Sequence, residues 1–194
     1  MFYGSAYAGM VLARAKANNC QVPTVLTQRL TKYLSAQLRR KDTHHPAAVC
    51  MALYALAALD KPEPAYHEKM YERYKKLGRT ARGLLALAVQ QVNGPKEMVS
   101  VLLRARPNKQ AVRRHHFGST EQELAIQLMA WSQHDADAPE VDKWMALVME
   151  SRKQGQWRTT FANAWSLLAL TTYAHTAETR QSTARGKLVW RGQE

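Results

Sequence analysis

Apolar residues recur at helical spacing along most of the chain, and proline or glycine separates the segments that show this spacing. Apolar positions at i, i+3, i+4 and i+7 indicate a buried stripe on a helix, and proline in a first turn or glycine in a connection marks its ends. The pattern predicts nine helices, at 5–18, 23–40, 46–59, 64–77, 80–92, 95–105, 119–133, 139–153 and 159–174.

Two kinds of helix alternate along the chain. The odd-numbered helices are rich in Ala and Leu and carry almost no charge in their interiors, as in "AAVCMALYALAAL". The even-numbered helices are amphipathic and hold most of the charges, as in "AYHEKMYERYKKL". A helix that is apolar on most sides has to be covered on most sides, so the sequence predicts inner and outer helices in alternation.

The inner helices return at a regular interval. Counted from Pro46 to Thr80, Thr120 and Thr159, the period is 34, 40 and 39 residues, which is typical of stacked helical hairpins. An open superhelix of such hairpins leaves one layer facing solvent along its inner curve, whereas a closed α/α toroid surrounds its inner helices. The uncharged inner helices favour an all-α fold, an incomplete α/α toroid of about 4–5 hairpins.

The last stretch differs from the rest. After Thr176 the chain is polar and without period, and "KLVWRGQE" then places the β-formers Val189 and Trp190 together. We therefore predict a toroid domain over 1–178, followed at 179–194 by a linker and the start of a β domain.

The chain is short and strongly basic. Its 194 residues suit one domain, and its net charge of +13 attracts acidic partners without fixing a fold. The start lacks the regions of a secretory signal, and no apolar run reaches the roughly 18–20 residues of a membrane span. Cys20 and Cys50 are too few for a disulfide framework and are expected to be buried thiols; neither has zinc spacing, so no metal or cofactor is predicted.

Three stretches resemble a known family. "FYGSAYAGMVLARAKANNCQVP", "RTARGLLALAV" and above all "SRKQGQWRTTFANAWSLLALTTYA" are similar to the thioester-domain region of bacterial alpha-2-macroglobulins, and the resemblance covers residues 2–176. The family pattern is Arg-x-x-Gly-x-Trp, a Ser- or Thr-rich turn, then Asn-Ala-Trp-x-Leu-Leu-Ala-Leu. It is met here by Arg152, Gly155, Trp157, Thr159, Thr160, Asn163, Ala164, Trp165, Leu167, Leu168, Ala169 and Leu170.

This resemblance implies a function for the parent protein. Family members are large, secreted or periplasmic protease traps that collapse around a protease once it cleaves a bait segment. In many of them a Cys-to-Gln thioester, in a Gly-Cys-x-Glu-Gln motif on an early inner helix, captures the protease covalently. The chain would then be part of an endopeptidase inhibitor, with other domains of the parent as partners and target proteases reached only through the full-length protein.

The thioester motif itself is not in this sequence. Cys20 is followed by Gln-Val-Pro and Cys50 by Met-Ala-Leu, and the nearest look-alike, 118–122, has serine in place of cysteine. Ser119 and Thr120 also begin two overlapping capping boxes, which is how we interpret them. The family's toroid has about six hairpins, so either the chain begins after the motif or the parent lacks it.

Several residues remain as candidates for chemistry. In thioester-active relatives a histidine in this region transfers the acyl group, which makes His44 and His45 candidates, although both could be loop residues before Pro46. The family signature Gly155, Trp157, Asn163 and Trp165 is expected to serve packing.

Two further clusters carry charge. The basic stretch 104–116 could contact phosphate backbones, an acidic neighbouring domain, or only solvent. The stretch 134–137, His-Asp-Ala-Asp, could hold a cation but is equally a turn before Pro139.

Catalysis by this chain is not predicted. Glycosidases on toroids need paired carboxylates inside the barrel, and the inner helices hold acids only at Glu121 and Glu123. The sequence shows neither the Asp-rich motif of terpene cyclases nor the zinc-binding pattern of prenyltransferases. The alternative hypotheses are an open helical-repeat scaffold that binds protein or nucleic acid, or a terpene cyclase- or prenyltransferase-like toroid.

Overall fold

The computed structural model describes residues 2–40, 44–106 and 118–178, and this part of the chain is almost entirely helical. The predicted all-α fold is confirmed, and each predicted helix is present with its ends shifted by a few residues. The helices are α1 (Phe2–Ala17), α2 (Thr24–Leu38), α3 (Pro46–Ala58), α4 (Pro64–Glu72), α5 (Arg79–Gln91), α6 (Lys96–Arg104), α7 (Thr120–His134), α8 (Pro139–Glu150) and α9 (Thr160–Glu178).

The largest difference from the prediction is at the end of α4. This helix stops at Glu72, because the backbone of Arg73 leaves the helical region at φ −107° and ψ 20°. A short 3₁₀ turn, Tyr74–Lys76, follows and directs Leu77 into the core, where it is 1% exposed. The predicted helix over 64–77 is therefore two elements, since the tighter turn brings Leu77 inward.

The predicted alternation of inner and outer helices is visible in the burial from α2 to α8, whereas α1 and α9, which were also predicted to be inner helices, each leave one side exposed. Most residues of α3, α5 and α7 are buried, whereas α2, α4, α6 and α8 each bury a narrow stripe at helical spacing. The buried residues of these outer helices are Leu34, Leu38, His67, Met70, Val99, Leu102, Val141 and Val148.

The inner helices pack side by side in chain order. Helix α3 lies between α1 and α5, and α7 lies between α5 and α9. Each of the first three outer helices packs against the inner helix before it and the one after it, while α8 packs against α7. The result is a row of inner helices in which α2, α4 and α6 each bridge two neighbouring inner helices.

Side chains also connect the two ends of this row. The ring of Tyr7 on α1 lies 5.1 Å from that of Phe161 and 6.1 Å from that of Trp165, both on α9. Tyr3 on α1 accepts a hydrogen bond from Gln122 on α7. These contacts bring the first inner helix to the last two, and the closed toroid itself stays a prediction.

The region predicted as a linker and β domain, 179–194, lies outside the described residues. Within them, extended pairing is limited to one isolated bridge between Lys153 and Gln156. No helix in the described ranges is long and apolar enough to cross a membrane.

Candidate functional site

The turn between α8 and α9 contains the residues that carry the family resemblance, and Asn163 is its centre. The Asn163 side chain accepts from the Trp157 backbone N–H at 3.2 Å and donates to the carbonyls of Trp157 and Thr159 at 2.8 and 2.7 Å. Thr159 caps the helix, since its Oγ1 accepts from Ala162 N–H at 3.0 Å. Asn163 thus binds the turn that precedes its own helix.

Trp157 fastens the same turn to the end of α8. Its indole is 5% exposed, and its Nε1–H donates to the Val148 carbonyl at 3.0 Å and the Ser151 hydroxyl at 3.1 Å. The Arg152 guanidinium lies over the indole, 5.7 Å from the ring centre, a cation–π arrangement. The tryptophan therefore joins an outer helix to the following inner helix.

The reversal that brings Trp157 into place needs a left-handed backbone. Gln154 has φ +50° and Gly155 has φ +85°. The positive φ of Gly155 explains why the signature has glycine at this position, because only glycine adopts positive φ without steric cost. Lys153 and Gln156 close the reversal with two backbone hydrogen bonds, at 2.9 and 3.1 Å.

Trp165, the last signature residue, belongs to the core. It is 1% exposed and packs edge-to-face on Phe161 at 6.3 Å. Its Nε1 has no hydrogen-bond partner among the described residues. A buried indole in contact with two other aromatic rings, those of Phe161 and Tyr7, has the surroundings of a core residue, and the packing role stays a prediction.

A groove of about 550 Å³ opens beside this turn. Its positive charge comes from Lys153 and Arg158, and Glu121 at the start of α7 supplies a carboxylate. The lining has neither cysteine nor histidine, and the Ser151 hydroxyl is occupied by Val148 and Trp157. The groove can therefore bind a polar segment by hydrogen bonds, but its lining offers no thiol nucleophile and no imidazole base. It is lined by Glu121, Ser151, Lys153, Gln154, Gln156, Trp157, Arg158, Thr159, Thr160 and Asn163.

The serine look-alike of the thioester motif is a helix cap, as predicted. Ser119 Oγ accepts from the Gln122 N–H at 3.0 Å and is the N-cap of α7. The expectation of two overlapping capping boxes is only half right. Gln122 donates to the Tyr3 hydroxyl rather than closing its box, and Glu123 pairs with Arg79 on α5 at 3.1 Å. Neighbouring helices compete for these side chains, and this competition is not visible in the local sequence.

The Tyr3 hydroxyl sits in the buried space between α1 and α7. Burial raises the pKa of Tyr3 to about 12, and the hydrogen bond from Gln122 lowers it in part. The phenol stays protonated at neutral pH and holds α1 against α7. No local sequence pattern indicates this pair, whose members are 119 residues apart.

The two candidate histidines occupy structural positions. His45 is the N-cap of α3, and its Nδ1 accepts from the Ala47 N–H at 3.3 Å. His44 stacks on the Phe2 ring at 4.1 Å and contacts the Gln37 side chain at 3.3 Å. An acyl-transfer role for either residue stays a hypothesis.

The expectation that both thiols are buried is wrong for Cys20. Cys50 is fully buried in α3, where burial raises the pKa of its thiol. Cys20 is exposed and lies in the connection between α1 and α2, outside the packed faces of both helices. Both cysteines are free.

Sequence reasoning missed a buried cation. Arg82 on α5 is 2% exposed, and its guanidinium donates to the Ala105 carbonyl just after α6. Its Nε has no partner among the described residues, and burial, followed by nearby Arg79, lowers the pKa of Arg82. In "RTARGLL" it lies between Ala81 and Gly83, and this local sequence does not indicate that the charge faces inward.

The predicted charged clusters are only partly described. Of the basic stretch 104–116, residues 107–116 lie outside the described ranges, while Arg104 stacks on Trp131 at 5.2 Å and lies 3.8 Å from Glu140. In 134–137, Asp135 Oδ1 accepts from the Asp137 N–H at 3.2 Å, which is the geometry of a turn. No group of three or more metal-ligating side chains comes together within the described part of the chain.

No family model matches this chain, and no curated protein or solved structure matches it either. The resemblance read from its sequence is therefore carried by its own residues alone.

Proposed function

We propose that this chain is a structural module of a bacterial alpha-2-macroglobulin-like endopeptidase inhibitor, an incomplete α/α toroid without a thioester or catalytic activity of its own. Its partners are the other domains of a periplasmic or secreted parent, and it meets target proteases only as part of that parent. The terpene cyclase- or prenyltransferase-like alternative has no supporting observation in the site.

One observation carries this proposal: the residues of the family-like stretch act together as a structural joint. Trp157 and Asn163 bind α8, the turn and α9 into one unit, and Gly155 supplies the left-handed reversal. Catalytic residues would present polar groups to the groove that are free to contact a substrate. Here their polar groups are used within the joint, which supports a scaffold role.

The state of the two thiols supports the absence of a thioester in this chain. A thioester needs a cysteine sulfur joined to a glutamine side-chain carbonyl, with loss of ammonia. The Cys50 thiol is buried in the apolar core, and the Cys20 thiol donates to the Asn18 carbonyl at 3.8 Å. Among the described residues, neither sulfur makes a hydrogen bond with a glutamine side chain.

The proposal is tested on the purified full chain by intact mass, thiol titration and incubation with labelled methylamine. We expect the mass of the unmodified sequence, two titratable thiols in denaturant, and no methylamine incorporation. We also expect no inhibition of a panel of endopeptidases. A mass lower by one ammonia, a missing thiol or covalent methylamine would contradict the proposal.

A second candidate function, a binding scaffold for an acidic partner, is favoured by the first hairpin. Residues 2–40 contain six Lys and Arg and no Asp or Glu. On α2, Arg29 and Lys32 are exposed beside Tyr33, which is 39% exposed. Clustered cations next to an aromatic ring suit a nucleic acid strand or an acidic protein surface.

Salt-dependent binding separates the two functions. If the chain is a nucleic acid scaffold, its affinity for a fluorescent single-stranded oligonucleotide falls steeply with salt, and the Arg29→Ala/Lys32→Ala variant lowers that slope by about 1–2. The matched control is Lys143→Ala on α8, an exposed cation far along the chain. Affinity that is absent at low salt would remove this second candidate.

A further inference from the structure

The described helices leave the meeting of α1 and α9 without an outer helix. Helix α2 covers the junction of α1 with α3, α4 covers that of α3 with α5, and α6 covers that of α5 with α7. Where α1 meets α9, the described residues provide no helix in the corresponding position. Helices α2, α4 and α6 each directly follow an inner helix in the chain. By the same repeat, the segment that follows α9 is the one expected to cover the place where α1 meets α9.

The uncovered junction carries two exposed stripes, which together we name the α1/α9 seam. The stripe on α1 consists of exposed residues spaced four and three positions apart, and Val11 within it is 45% exposed. The stripe on α9 has the same spacing, and Leu167 within it is 57% exposed. The seam consists of Gly4, Ala8, Val11, Ala164, Leu167, Thr171 and Ala174, none of which is charged.

The two stripes lie on the same side of the molecule. Tyr7 on α1 contacts Phe161 on α9, and these residues are helical neighbours of Val11 and Ala164. The faces of both helices that point to the core are buried. Each stripe therefore lies near the Tyr7–Phe161 contact, on the solvent-exposed face of its own helix.

The chain that follows α9 has the length and composition to cover this surface. Leu167 lies about 16 Å along the helix axis from Glu178, whereas the ten residues from Glu178 to Leu188 reach up to about 33 Å. In 179–194 the large apolar residues are Leu188, Val189 and Trp190, which are consecutive. A second copy of the chain is disfavoured as the cover, because two molecules of charge +13 repel each other.

We propose that residues 188–190 dock on the α1/α9 seam and take the place that an outer helix takes at the other junctions. The tail is attached to α9, so its effective concentration at the seam is on the order of millimolar, and a modest apolar contact is sufficient to hold it. In this arrangement Val189 and Trp190 cover the seam.

Disulfide trapping in the full chain tests the proposal. In a Cys20→Ser background, the pair Leu167→Cys with Val189→Cys is oxidised with glutathione disulfide and followed by non-reducing gel and peptide mass. The control pair is Met149→Cys with Val189→Cys, since Met149 on α8 is also an exposed apolar residue, at 41%. A disulfide needs Cα atoms within about 7 Å, so docking should make the first pair close at least about tenfold faster.

Two outcomes of the trapping would overturn the proposal. Equal rates in the two pairs would mean that the tail does not prefer the seam. Disulfides that form between molecules through position 167 would identify a second copy as the occupant.

A second measurement introduces no new cysteines, so its result does not depend on whether the cysteine variants fold normally. Trypsin cleavage at Arg185 and Lys187 is compared in the full chain and in the Leu167→Asp and Met149→Asp variants. Docking predicts that Leu167→Asp raises the cleavage rate severalfold and Met149→Asp leaves it unchanged. Equal cleavage in all three chains would contradict the proposal whether or not the protein belongs to a protease inhibitor.

Discussion

At the scale of single residues, polar side chains decide how neighbouring elements are joined. Asn163 makes three hydrogen bonds to the backbone of the turn before α9, and Gln122 reaches across to Tyr3 on α1. A buried polar group without its partner costs free energy, so these side chains specify one arrangement among the many that an apolar core allows.

Asn163→Ala removes the centre of the turn. We expect the free energy of unfolding to fall by about 1–3 kcal/mol, because the N–H and the carbonyl of Trp157 lose their bonds to the Asn163 side chain, while the Thr159 carbonyl keeps the backbone N–H of residue 163. Urea denaturation followed by circular dichroism measures the change. The control is Gln156→Ala in the same turn, which is exposed and should shift stability by less than about 0.5 kcal/mol. Equal effects of the two substitutions would show that Asn163 does not hold the turn.

His67 gives the fold a dependence on pH. It is 4% exposed on α4, its Nε2 has no partner among the described residues, and burial lowers its pKa. The unfolded chain therefore binds a proton more readily. The stability contributed by neutral His67 is complete above the ordinary pKa of about 6.5 and is lost as pH falls below it.

His67→Leu should flatten this dependence between about pH 7.5 and 5.5, where carboxylates remain ionised. Because the substitution also removes an unpaired buried nitrogen, we expect little loss of stability at pH 7.5. Urea denaturation at several pH values measures both effects. A pH profile that is identical to that of the unsubstituted chain would assign the dependence to other groups.

At the scale of elements, the inner helices approach closely where a small residue allows it. A Cβ added at Gly83 on α5 would lie 2.6 Å from both Gln127 Nε2 and Ile126 Cγ2 on α7. Gln127 also donates to the Arg79 carbonyl at 3.2 Å, and Gln90 donates to the Ala130 carbonyl at 2.9 Å. The α5/α7 pair is therefore held by close contact and by amide side chains that span the two helices.

Gly83→Ala and Gly4→Ala form a matched pair of substitutions. Both glycines are helical, but nothing lies within 4 Å of a Cβ at Gly4. Gly4→Ala should stabilise the chain by about 0.5–1 kcal/mol through helix propensity, whereas Gly83→Ala should destabilise it by about 1–3 kcal/mol through overpacking. Thermal unfolding measures both. A stabilising Gly83→Ala would mean that α5 and α7 are free to move apart.

At the scale of the whole molecule, the two ends of the inner row meet through aromatic side chains. The Tyr7 ring bridges α1 to Phe161 and Trp165 on α9, and burial raises the pKa of Tyr7. An open array of repeats needs no such contact, because each repeat touches only its neighbours. The energy of this junction therefore distinguishes a closed arrangement from an open one.

Tyr7→Ala tests that junction. In a closed arrangement we expect a loss of about 1–3 kcal/mol, less than for a fully buried ring, because Tyr7 is only half-buried. The control, Tyr33→Ala, removes an exposed ring from α2 and should cost less than about 0.5 kcal/mol. If the two substitutions have equally small effects in urea denaturation, the ends of the row are not energetically coupled.

The sequence by itself determined where the helices lie and which of them are inner or outer. Periodicity, proline, glycine and side-chain charge act locally, so Pro46 and Pro64 mark helix starts and the uncharged run in α3 identifies a buried helix without reference to other elements. The same local information favoured Ser119 as a cap.

Only the tertiary structure decided which side chains meet. The partners of Gln122 and Glu123, the inward turn of Arg82 and the exposure of Cys20 depend on the rotation and spacing of packed helices. Helical spacing is the same whichever neighbour a face meets, so no local pattern can select the partner. Contacts between distant segments, such as Tyr3 with Gln122, are fixed when the faces dock, because burial then requires each polar group to find its partner.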